Sequence, residues 1–241
     1  MKKNLEEIVK NIREDSSYAR YIKKELLDDK EFSLLILEAN PNCYYESYFK
    51  FREDKDVIRF MLDKDTFSNK GTLIFSKEKL INDPEYDQLY TEYKKMMQKR
   101  GYAMLFKSIC DIKNDSEYDL RKITDQFVSN IDKLLSENLD DRQLKVIRER
   151  FGLDDGKPKQ LETIGNNFNI SKLRVNQIEE KSLTILRTNL NTSVIEEAIK
   201  SNIPGSIEFI QERISKLDKI EEGNLTVVSD NQNEFIGNKN K

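Results

Sequence analysis

The sequence predicts an all-α protein, with an N-terminal helical domain followed by a C-terminal helix-turn-helix domain. Three observations carry that expectation. With 8 Gly and 4 Pro in 241 residues, turn chemistry is too scarce for a many-stranded β fold. Charged residues make up 35% and apolar residues 37%, a mix typical of helix-rich soluble chains. Apolar residues recur at three- and four-residue spacing through most of the chain, the period of a helix with one buried face.

Residues 1–27 read as one or two helices. Leu5, Ile8, Val9 and Ile12 form one stripe, and Tyr18, Tyr21, Ile22, Leu26 and Leu27 follow. An internal echo comes next. Asp29-Lys30-Glu31-Phe32 precedes Leu34–Leu37, and Asp54-Lys55-Asp56-Val57 precedes Phe60-Met61-Leu62. A weaker third copy starts at Asp83-Pro84-Glu85-Tyr86. Each opens on acidic residues, which suit the positive end of a helix dipole. Two or three short helical units stacked on one another would give such a pattern, as would chance recurrence of acidic helix starts. The aromatic run Tyr44-Tyr45, Tyr48-Phe49, Phe51 has helical spacing and few basic neighbours, so it reads as core before it reads as a base-stacking surface.

Thr72-Leu73-Ile74-Phe75 is expected as a short strand or an extended loop. Residues 85–112 return to helix, with a break expected at Lys99-Arg100-Gly101. Lys113-Asn114-Asp115-Ser116 is the best linker, ahead of a helix from about Glu117 to Ser136. The expected division is therefore a helical domain of unknown role at 1–112, a linker and helix at 113–136, a helix-turn-helix at 137–190 and C-terminal helices at 191–220. The Asn-, Asp- and Gly-rich stretch 221–241 is expected to be a disordered tail.

Composition excludes much chemistry. The chain has no His, the commonest general base and metal ligand. Its two cysteines, Cys43 and Cys110, are isolated and read as reduced thiols of a cytosolic protein. No phosphate loop, paired-cysteine motif or nucleophile elbow occurs. Among 44 acidic residues, pairs such as Asp28-Asp29 read as solvated surface. No catalytic residue, metal or cofactor is expected. Neither a membrane span nor a secretory leader is legible. A cytoplasmic, nucleoid-associated protein that is not an enzyme is the expectation.

The most informative stretch lies between Leu139 and Arg187. Leu161, Ile164 and Phe168 share one helical face, and Gly165 lets a second helix come close. Asn169 tolerates the left-handed backbone that a sharp turn needs. Ser171 is a good N-cap, and Val175, Ile178, Leu183 and Leu186 give the second helix a buried stripe. Lys172, Arg174, Asn176 and Gln177 are left at its exposed N-terminal end, the end a helix-turn-helix offers to the major groove. Gly152 should end a helix over Arg142–Arg150 as a C-cap. Residues 121–187 hold 13 Lys and Arg against 11 Asp and Glu, the one stretch with a positive excess in a chain of net charge −3. So small an excess implies weak, salt-sensitive DNA affinity for this part alone.

Leu139-x-x-Arg142, then Val146-Ile147-Arg148-x-Arg150-Phe151-Gly152-Leu153-Asp154-Asp155-Gly156-Lys157-Pro158-Lys159, then the helix-turn-helix ending Gln177-Ile178-Glu179-x-Lys181, resembles region 4 of the sigma-seventy family of bacterial transcription initiation factors. The resemblance covers about a fifth of the chain. It implies a module that reads the promoter −35 element and docks on the β-flap of RNA polymerase. Carried over residue by residue, it implies DNA contacts at Lys172, Leu173, Arg174, Asn176, Gln177 and Lys181. Arg174 and Gln177 match common family residues, and such side chains pair with guanine and adenine. Leu173 departs from a position that is usually charged, and it can offer only apolar contact, for example to a thymine methyl. Asn176 stands where arginine is common. No stretch of residues 1–130 resembles region 2, which melts the −10 element in the family. Two readings stay open. One is a DNA-binding regulator or split sigma subunit, with residues 1–112 binding another protein. The other is a polymerase-binding modulator or anti-sigma-like protein with little base readout. A structural adaptor is a weaker third.

Overall fold

Side-chain caps set where the N-terminal helices begin. The computed structural model describes residues 2–46, 48–64, 73–114, 116 and 118–215. After α1 (Lys2–Glu14) and the short α2 (Lys24–Leu27), Asp29 accepts from the Phe32 amide at 2.8 Å and opens α3 (Lys30–Ala39). Asp54 accepts from the amides of Asp56 and Val57 (3.0 and 3.4 Å) and opens α4 (Lys55–Lys64). After α5 (Lys77–Asn82), Asp83 caps the amides of Glu85 and Tyr86, and Pro84 leads α6 (Pro84–Cys110). Each cap satisfies donors that a bare helix start would leave unpaired.

The same positions also tie one helix start to the next. Lys30, the first residue of α3, reaches Asp54 at 3.0 Å and also Asp56. Lys55, the first residue of α4, reaches Asp83 and Glu85, each at 2.8 Å. A second rung joins Lys50 to Asp28 and Lys79 to Glu53. Related geometry occurs one step earlier in the chain, where no repeated motif marks it. Asp15 closes α1 and caps a 3-10 turn, Ser16–Tyr21, through the Ser17 amide. Asn40 closes α3 and caps a 3-10 turn, Pro41–Tyr45, through the Asn42 amide. The Asn40 side chain also donates to the Ile12 carbonyl at 2.9 Å, so α1 and α3 are joined end to end. The α1 start lacks the Asp-Lys-acid signature, which is why the pattern was not legible there.

The aromatic run packs inward. Tyr44 is fully buried, Phe49 nearly so, and their rings lie 5.8 Å apart. Residues 73–76 are loop and not strand, while Thr72 lies outside the described residues. Phe75 sits among the rings of Tyr86, Tyr90 and Tyr93 at 5.5, 5.2 and 5.3 Å.

The expected break at Lys99-Arg100-Gly101 does not occur, and α6 runs unbroken. A Cβ on Gly101 would lie 2.3 Å from the Phe151 carbonyl oxygen, so this glycine permits a close helix crossing where the sequence suggested punctuation. The next helix, α7 (Asp125–Asn138), starts later than expected because Thr124 is its cap, accepting from the Phe127 amide at 3.0 Å. Then come α8 (Asp141–Phe151), α9 (Leu161–Phe168), α10 (Lys172–Thr188), α11 (Thr192–Lys200) and α12 (206–215). The C-terminal helices fold back onto the start of α7. Thr124 donates its hydroxyl to Glu197 at 2.8 Å, and its amide donates to Ser201 Oγ at 3.1 Å.

One buried cluster runs from Ile12 to Ile203, and α6 is its shared wall. Phe106 on α6 meets Phe127 on α7 edge to face at 5.8 Å. Tyr102 on α6 donates to Asp132 on α7, which also receives Arg148 of α8 at 2.8 Å. A second, smaller cluster of Val146, Ile164, Val175 and Ile178 lies between α8, α9 and α10. Among the described residues there is no strand, and no helix is long and apolar enough to cross a membrane. The stretch 221–241, expected as a tail, lies outside the described residues.

Candidate nucleic-acid interface

Local chemistry builds the interface in three steps. At the start of α8, Asp140 accepts from the Gln143 amide at 2.8 Å, and the Gln143 side chain accepts from the Asp140 amide at 3.2 Å. This reciprocal pair fixes the helix start. Gly152 ends α8 in the left-handed region (φ 66°) as expected, its amide bonding the Arg148 carbonyl. The connection that follows is clamped on both sides. Arg150 donates to the Lys159 carbonyl and pairs with Glu179 of α10 at 3.2 Å, while Lys159 pairs with Glu149 at 3.2 Å.

The turn between α9 and α10 is the second step. Asn169 sits at φ 52° and ψ 45°, and the Ile170 amide returns to the Gly165 carbonyl at 3.0 Å. This closes α9 with a left-handed cap. A Cβ on Gly165 would lie 2.7 Å from the Ile170 carbonyl oxygen, so the turn can be this tight only with glycine there. The obstacle is the turn's own carbonyl, where the sequence suggested the second helix. Ser171 Oγ then accepts from the Arg174 amide at 3.2 Å and starts α10.

The third step is the orientation of α10. Val175, Ile178, Ser182 and Leu186 are buried, while Leu183 is only half-buried. Ser182 takes the place expected for Leu183, with its hydroxyl donated to the Ile178 carbonyl at 2.7 Å. That internal bond lets a serine sit in the core without an unpaired oxygen.

Lys172, Leu173, Arg174, Gln177 and Lys181 are all exposed on α10, and Asn176 is half-buried. The six expected positions therefore lie on the outer side of one helix. At 3.6 residues per turn, Leu173, Gln177 and Thr184 form the ridge opposite the buried stripe. Arg174 and Lys181 flank it on one side, Lys172 and Asn176 on the other. Arg174 donates to the Gln177 side chain at 3.1 Å, and Asn176 donates to Glu180 at 2.7 Å. Among the described residues no carboxylate pairs with Lys172, Arg174 or Lys181. Sequence reading passed over Glu180 and Thr184, which belong to this outer face. The four-residue step from Asn176 to Glu180 was the available signal. The described residues hold no cluster of His, Cys, Asp or Glu suited to a metal ion.

The family profile for sigma-70, region 4, matches residues 137–188, the segment that holds α8, α9 and α10. That segment is similar to sigma-70 region 4, and the term region 4 denotes it here. Relatives agree with it. The RNA polymerase sigma factor SigA of Nostoc sp. is 44% identical over 71 residues, which is 30% of this chain and 18% of that protein. SigA of Synechocystis sp. is 44% identical over 64 residues, 27% of this chain and 15% of its own length. SigA of Clostridium acetobutylicum is 52% identical over 46 residues, 19% and 12% of the two chains. The likeness thus spans less than a fifth of those curated relatives, and it falls in the C-terminal part of this chain. No solved structure matches the chain significantly. The helices packed around region 4, α6 above all, lie outside the profile's match.

Proposed function

We propose that this chain is a sequence-specific DNA-binding transcription factor of sigma-like or split-sigma type, which recognises a −35-like promoter element together with RNA polymerase. One observation carries the reading. Within region 4, the outer side of α10 presents Lys172, Arg174 and Gln177 at its N-terminal end and Lys181 at its middle to solvent, with no carboxylate neutralising the cations among the described residues. A helix held this way enters the major groove by its N-terminal end. Arg174 then reads guanine, Gln177 reads adenine, and Lys172 and Lys181 serve phosphates. The hydrogen bond between Arg174 and Gln177 holds the two readers side by side before DNA arrives. The small charge excess leaves affinity to be supplied by polymerase, through the β-flap, or by a protein held on residues 1–112. Melting of the −10 element comes from outside this chain. The setting is the bacterial cytoplasm, at the nucleoid.

A second reading, a polymerase-bound modulator with little base readout, draws on one observation. Glu180 lies on the outer face and holds the Asn176 amide, which removes one reader and adds a carboxylate near the DNA phosphates. Arg174→Ala combined with Gln177→Ala separates the two. In pull-downs and promoter-binding assays on the full chain, the proposal expects polymerase association to persist and promoter binding to fall at least tenfold. Unchanged promoter binding would support the modulator.

A further inference from the structure

The most exposed large apolar side chain of region 4 sits where a reading helix meets the bases. Leu173 is 67% exposed, and it is the one exposed large apolar residue of α8, α9 and α10. It stands in the first turn of α10, on the ridge opposite buried Val175 and Ile178. That placement puts it among the N-terminal residues of α10, the ones a recognition helix brings to base edges. An isolated leucine is too small an apolar area to dock a protein, which needs a contiguous patch. Lys172 and Arg174 flank it in the sequence, both exposed cations suited to a phosphate-lined groove, while Lys181 and Glu180 lie about two turns further along α10. The floor of the major groove offers one pronounced apolar group, the C5-methyl of thymine.

We infer that Leu173 is a specificity-determining residue that selects a thymine by its C5-methyl group, beside the bases read by Arg174 and Gln177. The inference rests on the DNA-reading function proposed above and commits it to a base. An isobutyl group cannot hydrogen-bond any base edge, so adenine, guanine and cytosine, which carry no methyl in the groove, gain nothing from it. Thymine is the one base that gains by the contact. The preferred sequence therefore carries a thymine whose methyl matters more than its oxygen.

The test uses the full chain bound to RNA polymerase, and duplexes that this complex selects from a random pool at low salt but that polymerase alone does not. In the selected duplex each thymine is replaced in turn by uracil, which removes the methyl and keeps every hydrogen-bonding group. One position should lose about fourfold in affinity, the effect of one methyl-sized burial. The same replacement should have no effect on Leu173→Ala, whose exposed site leaves folding intact and whose melting temperature checks that. Uracil tolerated everywhere would overturn the inference and leave DNA reading standing, as would a penalty that persists in Leu173→Ala. A pool that yields no enriched sequence would overturn the DNA-reading function and the inference with it.

Discussion

Lysines at helix starts do opposite things in the two halves of this molecule. In the N-terminal half, Lys30 and Lys55 begin α3 and α4, and both ammonium groups are bound to carboxylates of the next helix start. In region 4, Lys172 begins α10 and no carboxylate among the described residues meets it. The first arrangement is internal adhesion, with charge neutralised within the chain. The second leaves charge for a partner outside it. Net charge by segment could not separate these uses, because the difference lies in what each lysine faces.

The largest expected effect comes from the wall both halves share. Phe106 is fully buried and stacks edge-on against Phe127 across α6 and α7. Phe106→Ala should cost about 3–5 kcal/mol of stability. Because one core runs from Ile12 to Ile203, thermal unfolding should fall as a single transition in both halves. Two separated transitions, with region 4 melting unchanged, would break the picture of a shared core. Gly101→Val is the next largest. Its new Cβ would overlap the Phe151 carbonyl, and overpacking of this kind costs about 1–3 kcal/mol. Differential scanning calorimetry checks both.

Much of region 4 was legible because its turn chemistry is local. Gly152, Asn169 and Ser171 each do at their own position what their residue type permits, so a reader of the sequence can place them. Gly101 was misread because its reason is the carbonyl of Phe151, fifty residues away. Ser182 was passed over because its hydroxyl is satisfied by its own helix, which no hydropathy pattern reveals. The late start of α7 is of the same kind, since Thr124 bonds both its own helix and Glu197. The acidic helix starts at 29, 54 and 83 could be found, but the lysine ladder between them needed the fold.

A sharper look at the turn comes from Asn169. Asn169→Val should cost about 1–2 kcal/mol, because a β-branched residue resists φ 52°. Asn169→Gly should leave stability unchanged or raise it, measured by urea titration.

The smallest effect belongs to the ladder. Hydrogen bonds from Lys55 hold the carboxyls of Asp83 and Glu85 below their ordinary range, and Lys30 does the same for Asp56. Carboxyls with lowered folded values contribute fully above the ordinary carboxylate range, near pH 4, and lose that contribution as pH falls through the lowered values. Lys55→Met should therefore lower the melting temperature slightly at neutral pH, with the gap to the parent chain closing in acid. A gap that stays constant down to pH 2 would mean that Lys55 acts through packing alone.

The most direct test of the central claim is a genome-wide crosslinking map of the tagged full chain, run beside polymerase and beside the Arg174→Ala, Gln177→Ala variant. The account predicts peaks about 35 bases upstream of a defined set of start sites, sharing a motif, and their loss in the variant. Peaks that track polymerase without a shared motif, equal in parent and variant, would contradict it.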